Sequence, residues 1–332
     1  MIRARVAFGM TTSTSRPETD GGTNVSDAST AETGSADGAG ATEPGRSTGE
    51  RVGFAVRSAD RWLAAGLVAL AVALAGNSLL GPLVTDAVEY PFSDTMVNQT
   101  IGLEAVTLAL VAPWCLAAAV LILRGHRAGT VFAIPPSAYA AYMFAQYVVG
   151  PQYLEYQPVI AFHLGIFVLS GAVLAVAWSR IRPETLPTIT EDRARRAAVG
   201  LFLLAAFVTS RYLPAFGAMA TGGDLSAEAA LDPTMYWTIV LLDLGVIVPV
   251  TVATGWALLR GAEWAERAVY GVAGWYVLVP VSVAAMGTAM WLNDDPFADP
   301  GGVAVLSVVA VLFTAFAVWV FRPLFGREPD AR

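Results

Sequence analysis

The sequence predicts an all-α, polytopic transmembrane helix bundle of about eight spans. Three observations carry that reading. The 332-residue chain is 55% apolar and only 14% charged, where a soluble domain carries about 25% charged residues, and its mean hydropathy is +0.57. Between Trp62 and Phe321 the apolar residues gather into segments of about 20, the length that crosses a ~30 Å hydrocarbon core. The charges that separate these segments alternate in sign from one connection to the next.

Residues 1–57 hold "TTSTSRPETDGGTNVSDASTAETGSADGAGATEPGRSTGE", which has almost no large apolar side chain and cannot offset its ordering entropy. A disordered cytoplasmic tail is expected there, with Met10 opening a more ordinary tail than Met1. The stretch lacks the basic start and short apolar core of a secretory signal, so the first span is expected to stay as a membrane helix. The membrane domain is expected over 58–326, followed by a short cytoplasmic tail at 327–332.

The spans follow in order. The first, Trp62–Val84, carries Asn77 and Ser78. The second, Thr100–Leu123, carries Glu104 and Pro113. The third, Ala128–Val149, carries Pro135 and Pro136, and sets Tyr139, Tyr142 and Gln146 three and four residues apart, on one helical face. His163 lies in the fourth, Pro158–Trp178, and Arg211 in the fifth, Ala197–Ala218. Asp243 and Pro249 lie in the sixth, Tyr236–Leu259, and Pro280 in the seventh, Ala268–Leu292; the eighth is Val303–Phe321. A soluble protein built from such segments would need amphipathic helices to cover them, and the sequence has none.

Four of the connections hold Asp86, Glu89, Asp94, Glu155, Asp224, Glu228, Asp232, Asp294, Asp295 and Asp299 and no Arg. The others hold Arg124 and Arg127, then Arg180, Arg182, Arg193, Arg195 and Arg196, then Arg260 and Arg267. The excess of basic residues in cytoplasmic connections then puts both termini in the cytoplasm and the acidic loops outside, in the cell membrane. "PWCLAAAVLILRG" (113–125) and "PVTVATGWALLRG" (249–261) each set a helical Pro eleven residues before Arg-Gly. That spacing suggests two parallel four-helix repeats.

The stretches "GLEAVTLALVAPW", "LRGHRAGTVFAIPPSAYAAYMFAQYVVGPQY", "VIAFHLGIFVLSG" and "LLDLGVIVPVTVATGWALLRGAEWAERAVYGVAGWYVLVP" resemble a family of uncharacterised multi-pass membrane proteins of bacteria and archaea. The resemblance covers roughly residues 95–295, with Leu103-Glu104 standing where a Gln-Asp pair would be expected. It implies a fold of about eight helices and brings no activity with it.

No P-loop, GxSxG, HExxH or Cys/His cluster occurs, and Cys115, the single cysteine, cannot form an internal disulfide. No cofactor, metal or nucleic-acid partner is expected; membrane lipid is, and oligomeric state stays open. The polar residues inside the spans collect toward the acidic-loop side. Counted from the span ends, Asp243 and Arg211 lie at about 10 Å, Asn77 at about 10 Å, and Glu104, His163 and Gln146 at about 5–8 Å. Gln146, His163 and Glu104 are near enough to the interface to snorkel, whereas Asp243 is too short and too deep. Its expected partner is Arg211, at the same level. Asp243, Arg211, Glu104, His163, Asn77, Tyr142 and Gln146 are therefore the candidate polar pocket. Two functions fit: a small-solute or ion transporter with an outward-facing pocket, or a sensory, ligand-binding or assembly protein that transports nothing. An enzyme would have only Glu104 and His163 to work with, and is not expected.

Overall fold

The computed structural model describes residues 48–85 and 87–326, with side chains from residue 60. Of the expected tails, residues 1–47 and 327–332 lie outside the described residues. Residues 48–57 already belong to helix α1 (Thr48–Leu80). Ten further α-helices follow, and no strand is present among the described residues. They are α2 (Asp94–Val106), α3 (Ala112–Leu123), α4 (Gly129–Val149), α5 (Pro158–Arg180), α6 (Glu191–Ser210), α7 (Leu213–Ala220), α8 (Pro233–Leu242), α9 (Val248–Leu259), α10 (Glu263–Leu292) and α11 (Pro300–Phe321).

Six helices are long and apolar enough to cross a membrane: α1, the continuous pair α2–α3, α5, the continuous pair α8–α9, α10 and α11. The pair α6–α7, bent by 45° at a short break, makes a seventh when counted as one span. Helix α4 also has membrane length, at 21 residues, but Pro135, Pro136, the hydroxyls of Tyr139, Tyr142 and Tyr147, and Gln146 make it less apolar than its neighbours. The reason is its place at the centre. It packs against α3, α5, α8 and α10, so protein rather than lipid covers it. The lipid-type faces lie on the outer helices instead, where Val72, Val168, Val305, Val311 and Leu312 are all exposed.

Backbone interruptions follow the prolines. A helical proline removes one N–H and crowds the carbonyl four residues before it. Upstream of Pro113 the chain widens into a π turn at Thr107–Val111, where Ala112 N–H reaches back to the Thr107 carbonyl. Upstream of Pro249 it does so again at Asp243–Ile247, where Val248 N–H reaches the Asp243 carbonyl. The two turns lie 136 residues apart (107 to 243). So do Gly125 and Gly261, which end α3 and α9 with the same left-handed φ of 66°, a conformation that glycine adopts without strain. Packing partners match as well: α1 lies on α3 as α6 lies on α9, and α4 on α5 as α10 on α11. Pro214 has a different effect, because it opens the short helix α7 and the chain breaks at Arg211 and Tyr212 just before it.

Helices α4 and α10 meet closely at the centre. A side chain at Gly274 would collide with the Pro135 ring, and one at Gly102 on α2 with the Ala285 carbonyl of α10. Small residues at such crossings let backbones approach and gain dispersion contact.

The two ends of the bundle differ in chemistry. At one end, Arg127 donates to the Leu324, Pro323 and Gly326 carbonyls, Arg193 bonds the Trp319 carbonyl and lies over its ring, and Arg180 pairs with Asp60 at 3.6 Å. At the other, acidic loop residues are tied to the start of α2. Asp232 accepts from Ser93 Oγ at 2.5 Å, Glu228 from Gln99 Nε2 at 2.9 Å, and Asp295 from Asn98 Nδ2 at 2.9 Å.

Candidate functional site

The predicted polar pocket divides into two sites that share helix α4. The first surrounds Asp243, which opens the second π turn and is 6% exposed. Helix α8 begins at Pro233, earlier than the apolar pattern indicates, because Pro233, Thr234 and Met235 are not a lipid-like start. Asp243 therefore stands ten residues past the helix start, about 15 Å along the axis rather than about 10 Å.

Its expected partner is corrected by the geometry. Asp243 Oδ1 accepts from the Tyr142 hydroxyl at 2.5 Å and Oδ2 from the Tyr212 hydroxyl at 2.6 Å. Among the described residues no ion pair within 4.0 Å joins Arg211 to Asp243; those seen are of Arg180 with Asp60 and Arg195 with Glu191. The cause is the break before Pro214, which ends α6 at Ser210 and leaves Arg211 exposed at its C-cap, while the next residue, Tyr212, turns inward. Arg211 stays near enough for its charge to act on Asp243 through space.

Asp243, Arg211, Tyr142 and Gln146 all line one cavity of about 820 Å³, and Tyr139 and Tyr212 line it too. The face of α4 read from the sequence is thus one of its walls. Gln146 is 4% exposed and stands on the cavity wall. Among the described residues the buried side-chain atoms without a hydrogen-bond partner are His163 Nδ1, Arg267 Nε and Trp275 Nε1, groups that cost free energy unless water or a ligand meets them. At the acidic-loop end, residues of α7 and of the stretch 223–232 line the cavity, among them Asp224, Glu228 and Asp232. Partial desolvation raises the Glu228 carboxyl pKa above its usual value, and Asp295 adds to this, while the Gln99 hydrogen bond pulls the other way. At the far end, the Tyr139 hydroxyl and Ser282 Oγ close on each other at 2.8 Å, both buried.

The second site surrounds Glu104 and does not open into that cavity. Glu104, like Asp243, stands ten residues past its helix start, at Asp94. Asn77 Nδ2 and the Tyr147 hydroxyl both donate to its Oε1 at 2.9 Å, and Ser78 Oγ donates to Oε2 at 2.6 Å. His163 Nε2 lies 3.0 Å from Asn77 Oδ1, so Asn77 joins His163 to Glu104. The Tyr90 ring from the α1–α2 loop stacks on His163, and its hydroxyl accepts from Asn77 at 3.1 Å. Burial and the neighbouring Glu104 raise the Tyr90 hydroxyl pKa, so it stays protonated. Glu104 is 2% exposed and Asn77 and His163 are wholly buried. Glu104, His163 and Gln146, near enough to the span ends to snorkel, are instead buried among neighbouring helices; hydrogen bonds hold Glu104 and His163 Nε2, while His163 Nδ1 has no partner among the described residues.

Sequence reasoning missed Tyr212, Tyr147 and Tyr90. Tyr212 had a signal, since it adjoins Arg211 and a helical proline. Tyr147 had none, because it is five residues from Tyr142 and so faces a different side of α4. Among the described residues no group of three or more His, Cys, Asp or Glu is placed to hold a metal.

The fold and site define a class: an α-helical bundle with the helices of an integral membrane protein, holding one polar cavity and one closed polar network. Searches against protein-family models, curated proteins and solved structures found no match to this chain.

Proposed function

We propose that this is an eight-span membrane protein, built from two parallel four-helix repeats, that binds a small solute in an outward-facing cavity as part of its transport. The single observation that carries the reading is the 820 Å³ cavity, of ordinary ligand-site size, with Asp243 at depth and Gln146 on its wall. Eight spans result when α4 and the bent pair α6–α7 are each counted as crossing. The paired π turns, paired glycines and matching packing support the repeat. Arg residues gathered at one end support a cytoplasmic location for it and both termini, with the acidic loops outside. Helices broken at Arg211–Tyr212 and widened at Asp243 flank the cavity, as discontinuous helices flank transporter sites.

The second reading is a ligand sensor or assembly protein, and the closed Tyr139–Ser282 contact beneath the cavity favours it. Uptake of a panel of labelled small solutes and ions by proteoliposomes separates the two. Transport predicts uptake that Asp243→Asn abolishes; saturable binding without uptake of any solute would sink it in favour of sensing. Reporter fusions at residues 90 and 187 should report opposite sides of the membrane, and a shared side would overturn the topology.

A further inference from the structure

The charges and walls of the cavity specify its ligand more closely. Four carboxylates line it, those of Asp224, Glu228, Asp232 and Asp243, against one guanidinium, Arg211. The hydrogen-bond partners of three of them are neutral: Tyr142 and Tyr212 for Asp243, Gln99 for Glu228, and Ser93 for Asp232. Hydroxyls and amides orient a carboxylate without supplying a countercharge, and along the lining carboxylates outnumber the one guanidinium four to one.

Its walls are not those of an inorganic-ion site. Five methionines, Met96, Met143, Met219, Met235 and Met286, line it, out of eight in the chain. Thioether side chains are flexible and polarisable, and they adapt to irregular apolar shapes. Tyr142, Tyr236 and Trp237 add aromatic surface, whose faces attract cations. A bare transition-metal ion would need several His, Cys or carboxylate ligands converging, and no group of three or more of these occurs among the described residues.

Resting on the solute-binding reading above, we propose that the cavity takes an organic cation with an apolar body, its positive centre directed at Asp243, its body against the methionines, and a polar substituent meeting Gln146. Arg211, exposed and on the cavity lining, opposes the cation.

Tetraphenylphosphonium and tetraphenylborate, a cation and an anion of matched shape, test this by equilibrium dialysis with the full-length protein in nanodiscs, against empty nanodiscs. Tetraphenylphosphonium should bind saturably and tetraphenylborate at least about tenfold more weakly, the effect of reversing one charge at close range. Asp243→Asn should weaken the cation about tenfold, while Arg211→Gln, at an exposed position that leaves folding intact, should tighten it about threefold and weaken the anion. Equal binding of both ions overturns the cation preference and leaves the solute-binding reading standing on the uptake assay. Saturable binding of neither, or an Arg211→Gln variant that shifts both ions in the same direction, overturns the inference outright.

Discussion

Asn77 is the member of the closed network whose loss should be felt most, because it serves three partners at once. Asn77→Leu keeps the side-chain size and removes the amide. Glu104 then loses one of its three donors, and His163 Nε2 loses its 3.0 Å contact in a site with no exposure. A hydrogen bond to a charged group contributes about 1.5–3 kcal/mol, and a buried polar atom left unpaired costs about 1–3 kcal/mol, so the substitution should destabilise by roughly 2.5–6 kcal/mol. Hydrogen bonds between neutral groups in membrane bundles couple by only ~0.6 kcal/mol on average, so the carboxylate accounts for most of that figure. The assay is unfolding of the detergent-solubilised protein by denaturant, read by tryptophan fluorescence, with Glu104→Leu and the double variant alongside. The double variant should lose less than the two singles summed, since no acceptor is left stranded. A loss below about 1 kcal/mol for Asn77→Leu, or additive losses in the cycle, would mean that water serves these groups and that the network is not closed.

Around Asp243, Tyr142→Phe should cost about 1.5–3 kcal/mol by removing a donor and couple strongly to Asp243→Asn in a stability cycle, while Arg211→Gln should couple to Asp243→Asn more weakly; the reverse pattern would restore the Arg211 ion pair. Gly102→Ala should destabilise by about 1–3 kcal/mol through overpacking against Ala285, whereas Gly76→Ala, with open space around its Cβ, should be neutral or mildly stabilising; similar unfolding midpoints for the two variants would refute the close α2–α10 crossing. Glu228 has a raised folded pKa, so it holds its proton more tightly folded than unfolded. Its contribution to the closed loop is full below the ordinary glutamate range and is lost as pH rises through the raised value. A spin label at Ala227→Cys, with Cys115 buried and unreactive, should therefore become more mobile as pH rises through that window, and Glu228→Gln should remove the change. Mobility that falls with rising pH would refute it.

The sequence alone determined the all-helical class, the apolar segments, the separation of Arg from acid along the chain, and the set of residues that carries polarity into the bundle. Each of these depends on composition and spacing, and the need to satisfy every backbone group in lipid makes helices the available answer. The structure changed how those residues meet. Asp243 and Arg211 match in depth, yet the proline after Tyr212 breaks the helix and gives the carboxylate to two tyrosines instead. Glu104, Asn77 and His163 match the same level, yet they face away from the cavity that Asp243, Tyr142 and Gln146 share. Depth is legible because it counts residues along an axis. Rotation about that axis is not, because lipid and protein interior are equally apolar, so a membrane helix carries little periodic contrast to say which face turns inward. Only the packing of α4 between its neighbours decided that Tyr142 looks into the cavity while Tyr147 closes on Glu104.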